Sequence, residues 1–157
     1  MTMKNMSLGQ IALACEGTYV GEEAQKNREV SGVVIDSRKV EPGFLFVAVK
    51  GERVDGHSFI PAVFEKGAAC VLCEDAPEHP AGPYIQVDSC LEAIKKLAAY
   101  YRSTLTIPVI GISGSVGKTS TKEMIAAVLG QKYHVLKTEG NFNNEIGLPL
   151  TIFRIRE

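Results

Sequence analysis

The 157-residue chain is 45% apolar and 22% charged, and its 17 basic residues nearly balance 18 acidic ones for a net charge of −1. That composition is globular and fits one domain, or one small domain with part of another; it argues against disorder. There is no general electrostatic pull toward nucleic acid or anionic lipid, and no apolar run nears the ~20 residues of a membrane span, so neither nucleic-acid binding nor membrane insertion is expected.

Ser7-Leu8-Gly9-Gln10 has the spacing of a capping box, and Leu8, Ile11, Ala12 and Cys15 recur at helical intervals, which predicts a short helix stopped by Gly17. Val33–Ile35 and Phe44–Val49 are apolar runs rich in β-branched and aromatic residues, the second preceded by Pro42-Gly43, and they predict strands buried on both faces. A helix is expected from Ile60 to Lys66, ended by Gly67, and a strand from Ala68 to Cys73. Residues 74–83, with three prolines, form a surface loop before a short strand at Tyr84–Val87. Ser89 then opens a helix whose stripe is Leu91, Ile94, Leu97, Ala98 and Tyr101, ending near Arg102.

The four cysteines, Cys15, Cys70, Cys73 and Cys90, are too few and scattered for a disulfide framework. Cys70 and Cys73 form a C-x-x-C inside an apolar strand, where three-residue spacing sends the side chains to opposite faces, so they read as ordinary buried thiols. With no leader-like apolar segment following Met1–Met6, a reducing, cytoplasmic setting is expected.

Polar residues 103–106 mark a boundary between two units, 1–103 and 104–157. The second unit opens with the strand-like run Ile107–Ile112, then Ser113-Gly114-Ser115-Val116-Gly117-Lys118-Thr119, then a helical stretch with Met124, Ile125, Val128 and Leu129 on one stripe up to Gly130. His134–Leu136 reads as a further strand. Strand, glycine-rich loop and helix in that order make a phosphate-binding site. The glycines let backbone N–H groups of residues 114–117 turn toward an anion, the helix start adds unpaired N–H groups, Lys118 brings a point charge and the Thr119 hydroxyl a ligand for Mg2+. Ser120 follows in the first turn. The early glycine of the general motif is replaced by Ile112. The loop does not say what becomes of the phosphate; kinases, motors and ligases all begin this way.

The loop resembles the T-G-T-N-G-K-[ST] loop of the Mur ligases, ATP-dependent enzymes of bacterial cell-wall precursor synthesis, which also lack the early glycine; Val116 stands where they carry Asn or Lys. Asp36-Ser37-Arg38, then Pro42–Ala48, Gly51 and Asp55-Gly56-His57-Ser58-Phe59 resemble the N-terminal UDP-sugar domain shared by two members, one adding the third residue of the peptide and the other D-alanyl-D-alanine. The string from Gly140 to Thr151 is similar to that of the second.

The resemblance implies an α/β fold: a small N-terminal α/β substrate domain, then the truncated start of a P-loop parallel-sheet ATPase domain. It implies the N-terminal part of a ligase that adds D-alanyl-D-alanine to UDP-N-acetylmuramoyl-tripeptide through an acyl phosphate, with ATP and Mg2+ as cofactors and no turnover by this portion alone. Gly114, Ser115, Val116, Gly117, Lys118, Thr119 and Ser120 would hold the nucleotide, with Lys118 catalytic and Thr119 on the metal. Ser37, Arg38, Glu52, Arg53, Asn141 and Asn144 would face the UDP-sugar substrate. Three plainer readings stand beside these. Asp36–Arg38 would be a strand-end ion pair, Asn141 and Asn144 turn residues, and His57 structural. The alternatives in function are the sister ligase, a small P-loop kinase or NTPase, and a non-catalytic UDP-sugar-binding module. Unpartnered apolar faces at 107–113 and 124–129 imply self-association or repacking on the first unit.

Overall fold

A computed structural model describes residues 2–51, 54–140 and 144–156. The site expectations for Glu52, Arg53 and Asn141 therefore lie outside the described residues. At the centre is a five-stranded sheet of order β1-β5-β4-β3-β2, made of β1 (Thr18–Val20), β2 (Gly32–Val34), β3 (Phe44–Val47), β4 (Cys70–Cys73) and β5 (Tyr84–Gln86). β2 to β5 run parallel, in registers such as Val33 with Leu45 and Phe46 with Val71, while β1 closes one edge antiparallel to β5. The helices are α1 (Leu8–Ala14), α2 (Ile60–Glu65), α3 (Cys90–Thr104), α4 (Lys118–Leu129) and α5 (Gly147–Ile152).

The period of two along each strand divides the core between the sheet's faces. Leu45, Val47, Cys70, Leu72 and Ile85 join α1 and α3 on one face; Phe46, Ala48, Val71, Cys73 and Tyr84 join Val40 and α2 on the other. Cys70 and Cys73 thus part to opposite faces, as their spacing predicts. All four thiols are buried and unpaired with one another. Among the described residues no helix is long and apolar enough to cross a membrane.

Local signals formed as read. Ser7 Oγ accepts the Gln10 N–H at 3.3 Å while Gln10 Oε1 accepts the Ser7 N–H at 3.1 Å, the reciprocal pair of a capping box. Ser89 Oγ accepts the Glu92 N–H at 3.3 Å at the start of α3. The end of α1 differs from expectation. The left-handed residue is Glu16, with φ of 56°, and Gly17 follows it, donating to Ala12 O at 2.9 Å in a Schellman turn. Gly17 is required for a different reason: a Cβ there would meet Gln86 O, Ile85 and Val87 at 2.8 Å, because the chain passes directly over β5.

Two strand expectations fail. Ile107–Ile112 and His134–Leu136 carry no strand pairing, and β1, made of two exposed residues around a half-buried tyrosine, is a strand that no apolar run announces. An apolar run becomes a strand only beside a partner, and among the described residues none lies beside either segment. The α4 stripe is also open: the helix has no buried residue, with Met124 and Val128 at 70% and 71% exposure. The chain then returns. α5 packs on α3, Phe153 enters the first core with its ring 6.5 Å from Tyr101, and the Tyr101 hydroxyl donates to Ile155 O at 2.7 Å. Arg156 donates to Ser31 O at 2.8 Å. Residues 144–156 are therefore packed on the unit that holds the sheet.

Candidate functional site

The exits of the parallel strands β2, β3 and β4 share one edge of the sheet, the edge where open α/β sheets take ligands. After β2, Asp36 accepts the Arg38 N–H at 3.0 Å and shapes a 3-10 turn over Ser37–Lys39. The Arg38 guanidinium folds back on the same carboxylate with Nε 2.9 Å from Oδ1 and Nη2 2.8 Å from Oδ2. These bonds hold the Asp36 carboxyl down at about 2. Ser37 is tied from across the fold, its carbonyl accepting from Lys66 Nζ at 2.8 Å. The plainer reading of Asp36 and Arg38, an ion pair at a strand end, is the one seen.

After β3, Lys50 pairs with Glu74 at 3.1 Å and Asp75 at 2.9 Å, and these carboxylates raise its ammonium. A concavity of about 460 Å3 opens beside it, lined by Lys50, Glu74, Asp75, Gln86 and Asp88. A wider groove of about 890 Å3, lined by Ser7, Gln10, Arg28, Ser31 and Gly43, lies at the opposite, amino ends of the strands and contains none of the candidate site residues named from sequence. Its residues are ordinary turn and cap groups, so the carboxyl edge is the better candidate.

The phosphate loop is a separate element. Gly114 and Gly117 have φ of 150° and 77°, values closed to most side chains, and around Gly117 a Cβ would meet nothing within 4 Å. Gly117 precedes α4 directly and no side chain caps that helix, so the N–H groups of Lys118, Thr119 and Ser120 face outward with the positive end of the helix. Lys118 Nζ donates to Gly114 O across the mouth of the loop, so the ammonium sits where the loop curls. Ser115 and Val116 form the exposed rim. This geometry, open amides, an inward lysine and a hydroxyl on the first turn, suits the tail of a nucleoside triphosphate with its metal ion. Polar ties hold the loop unit: Lys122 Nζ donates to Thr138 O at 2.8 Å, Lys137 pairs with Glu123, and Arg154 pairs with Glu139 at 2.7 Å.

Asn144 sits at the start of α5, where its Oδ1 accepts the Gly147 N–H at 2.7 Å and the Ile146 N–H at 3.3 Å. Its carboxamide oxygen is thus a helix cap in this state. Among the described residues no hydrogen bond or ion pair joins the Ser37–Arg38 turn to the phosphate loop. Sequence reasoning missed Lys50 and Lys66, whose partners lie 24 to 29 residues away, and gave His57 no partner. Its Nδ1 is 2.7 Å from Asp55 Oδ1, and its Nε2 accepts the Glu74 N–H at 2.9 Å.

Comparison with known proteins places these elements. Residues 29–102 match the model of the Mur ligase family, catalytic domain, and residues 112–157 that of the Mur ligase middle domain. A UDP-N-acetylmuramoyl-tripeptide–D-alanyl-D-alanine ligase of Bacillus subtilis (strain 168) is 46% identical over 99% of the chain and 33% of its own length. A crystal structure of MurF from Acinetobacter baumannii matches with a TM-score of 0.85 and 30% identity over 99% of this chain and 34% of its own. MurF ligase from Thermotoga maritima, solved in complex with ADP, matches with a TM-score of 0.71 and 38% identity over 80% of this chain and 29% of its own. The chain spans about a third of the length of the curated relatives it matches.

Proposed function

The chain belongs to the Mur ligase family, and on that premise we propose that it is the N-terminal portion of an ATP-dependent ligase that joins D-alanyl-D-alanine to UDP-N-acetylmuramoyl-tripeptide in peptidoglycan precursor synthesis. The observation that carries this reading is likeness, over nearly the whole chain, to ligases of that name in both sequence and fold. Family membership sets aside the small kinase reading.

In this proposal residues 1–103 hold the UDP sugar and residues 104–157 begin the ATP-binding domain. The reaction activates the terminal carboxylate of the tripeptide by phosphoryl transfer, after which the amine of D-alanyl-D-alanine attacks. Each residue then has a physical task. Main-chain N–H groups of Gly114 to Gly117 and of the first turn of α4 cradle phosphate oxygens. Lys118 exchanges its bond to Gly114 O for one to the phosphates and neutralises charge as it spreads over the transferring group. Thr119 supplies one hard oxygen ligand toward Mg2+, which when bound would neutralise phosphate charge. Ser37 and Arg38 present a hydroxyl and a planar cation at the exit of β2 for the uridine diphosphate; Arg38 would keep its pre-set orientation on Asp36 while offering its outer N–H groups. Asn141 and Asn144 complete the substrate side, Asn144 through its amide N–H groups, since its oxygen caps α5.

Calorimetric titration of the 157-residue chain with UDP-N-acetylmuramoyl-tripeptide and, separately, with Mg-ATP tests the reading. The UDP substrate is expected to bind and Mg-ATP to bind weakly. Tight Mg-ATP binding with no response to the UDP substrate would overturn it. Spanning a third of the ligases it resembles, the chain by itself is expected to show no ligation.

A further inference from the structure

We propose that His57 is a positioning residue for the sugar-nucleotide edge of the sheet: in its Nδ1–H form it clamps the exit of β3 onto the end of β4. The inference rests on the reading of that edge as the UDP-sugar site.

The tautomer follows from the partners. Nε2 accepts the backbone N–H of Glu74 at 2.9 Å and that of Asp75 at 3.3 Å. Backbone N–H groups only donate, so Nε2 presents its lone pair and the ring proton resides on Nδ1. There it meets Asp55 Oδ1 at 2.7 Å, an oxygen that also accepts the His57 backbone N–H at 2.9 Å. The ring is only 12% exposed, so water has little access to replace these bonds. One imidazole thus joins a turn after β3 to two amides after β4.

A second clamp runs beside it. Lys50 reaches the carboxylates of the same two residues, Glu74 and Asp75, whose amides His57 takes. Glu74 Oε1 in turn accepts the Cys90 N–H at 2.9 Å, which ties the pair to the start of α3. Lys50 and Asp55 face each other in an antiparallel bridge closed by the Gly51 N–H to Val54 O at 3.0 Å. Both ends of the β3 exit, Lys50 and Asp55–His57, are therefore anchored to the same two residues of β4's exit. The consequence is preorganisation: a loop base already held needs no ordering when ligand arrives, and that ordering cost otherwise subtracts from affinity.

The test uses the chain with UDP as the probe, His57→Asn and His57→Gln as variants, and 15N spectra as a readout independent of affinity. A glutamine reaches the Nε2 position with an oxygen that accepts both amides; an asparagine reaches only the Nδ1 position. We expect His57→Asn to weaken UDP binding about tenfold and shift the Glu74 and Asp75 amide resonances, and His57→Gln to restore both to near wild type. Wild-type UDP binding that His57→Asn leaves unchanged, while the two amide resonances move, overturns the positioning role and leaves the sugar-nucleotide reading standing. No UDP binding by the wild type overturns that reading and the inference with it. An imidazole protonated on Nε2 in the wild type overturns the clamp. Should His57→Asn fail to fold, the wild type decides: UDP must move the Glu74 and Asp75 amide resonances, and resonances that stay fixed at saturating UDP overturn the proposal.

Discussion

In the sheet unit, every strand from β2 to β5 and helices α1, α2 and α3 place side chains beyond the reach of water. Among the described residues of 106–146 not one is buried. Both regions contain regular structure, yet they hold it differently. α3 carries Ile94, Leu97, Ala98 and Tyr101 into the core, whereas α4 keeps its helix through its own backbone bonds, Gly117 at its start and a few surface ion pairs. A lone 12-residue helix is marginal in water, so α4 depends on its tethers, α3 before it and α5 after it. Stability in this chain resides in the unit proposed to bind the UDP sugar, and the phosphate loop is carried as an excursion from it.

The sharpest way to break that contrast is to swap truncations. Phe153→Ala removes a ring that is 2% exposed and is expected to cost about 3–5 kcal/mol in urea unfolding. Met124→Ala and Val128→Ala are expected to stay within about 0.5 kcal/mol, since these side chains face water. A cost above about 2 kcal/mol at either α4 position would mean that the stripe is covered in solution, and a mass by light scattering above that of one chain would identify a second copy as the cover.

The next effect separates chemistry from folding. Lys118→Ala in the intact ligase proposed above is expected to lower turnover about 100- to 1000-fold, because it would remove the charge proposed to meet the phosphoryl group. In the present chain the same change should leave the melting temperature unmoved, the ammonium's bond being to Gly114 O on an exposed loop. A large loss of thermal stability would show that the loop is a structural turn.

What could be read beforehand follows the range of each interaction. The caps of Ser7 and Ser89 and the left-handed Gly67 lie within a few residues of what they satisfy, so the chain announces them. The partition of Cys70 and Cys73 is legible because strand alternation needs no partner to be known. β1 is opaque: three residues, none of them buried, become a strand only because β5 offers an edge. The return of α5 is opaque for the same reason, since Phe153 and Tyr101 meet across 52 residues. At the site, Gly114–Thr119 could be recognised from a single turn of chain, while the Lys66–Ser37 bond and the His57–Glu74 bond join separate elements and leave no local mark.

A smaller effect uses the thiols, all on the packed side of the contrast. Burial pushes Cys15 and Cys90 up to about 12 and Cys73 to about 11, against 9.0 for a free thiol. Since the folded values are raised, the stability tied to them is complete below about pH 9 and is lost as pH rises toward 11–12, where unfolded thiols ionise and folded ones do not. Each thiol should withdraw roughly 1 kcal/mol per pH unit above 9, measured as the fall of the urea midpoint between pH 9 and 10. In the native state at pH 8 none of the four should react with a thiol reagent; rapid labelling of any one would show that the strand or helix around it opens.

The smallest expected effect on stability lies at the edge proposed to meet the UDP sugar. Asp36 is held down at about 2 by Arg38, so its contribution is present above the unfolded carboxyl value near 4 and is lost as pH falls through about 2. The arginine head lies in solvent, 86% exposed, and water screens the pair. Arg38→Ala is thus expected to leave the melting temperature at pH 7 unchanged while weakening UDP binding about tenfold or more, because a planar cation already oriented by two bonds to Asp36 loses little freedom when it meets a diphosphate. Asp36→Asn keeps the arginine's charge and loosens its aim while removing a negative charge beside it, so its loss of UDP affinity should be smaller than that of Arg38→Ala. If Arg38→Ala instead lowers the melting temperature and spares UDP affinity, the pair is only a brace for the β2 exit, and the UDP diphosphate must find its cation elsewhere on that edge.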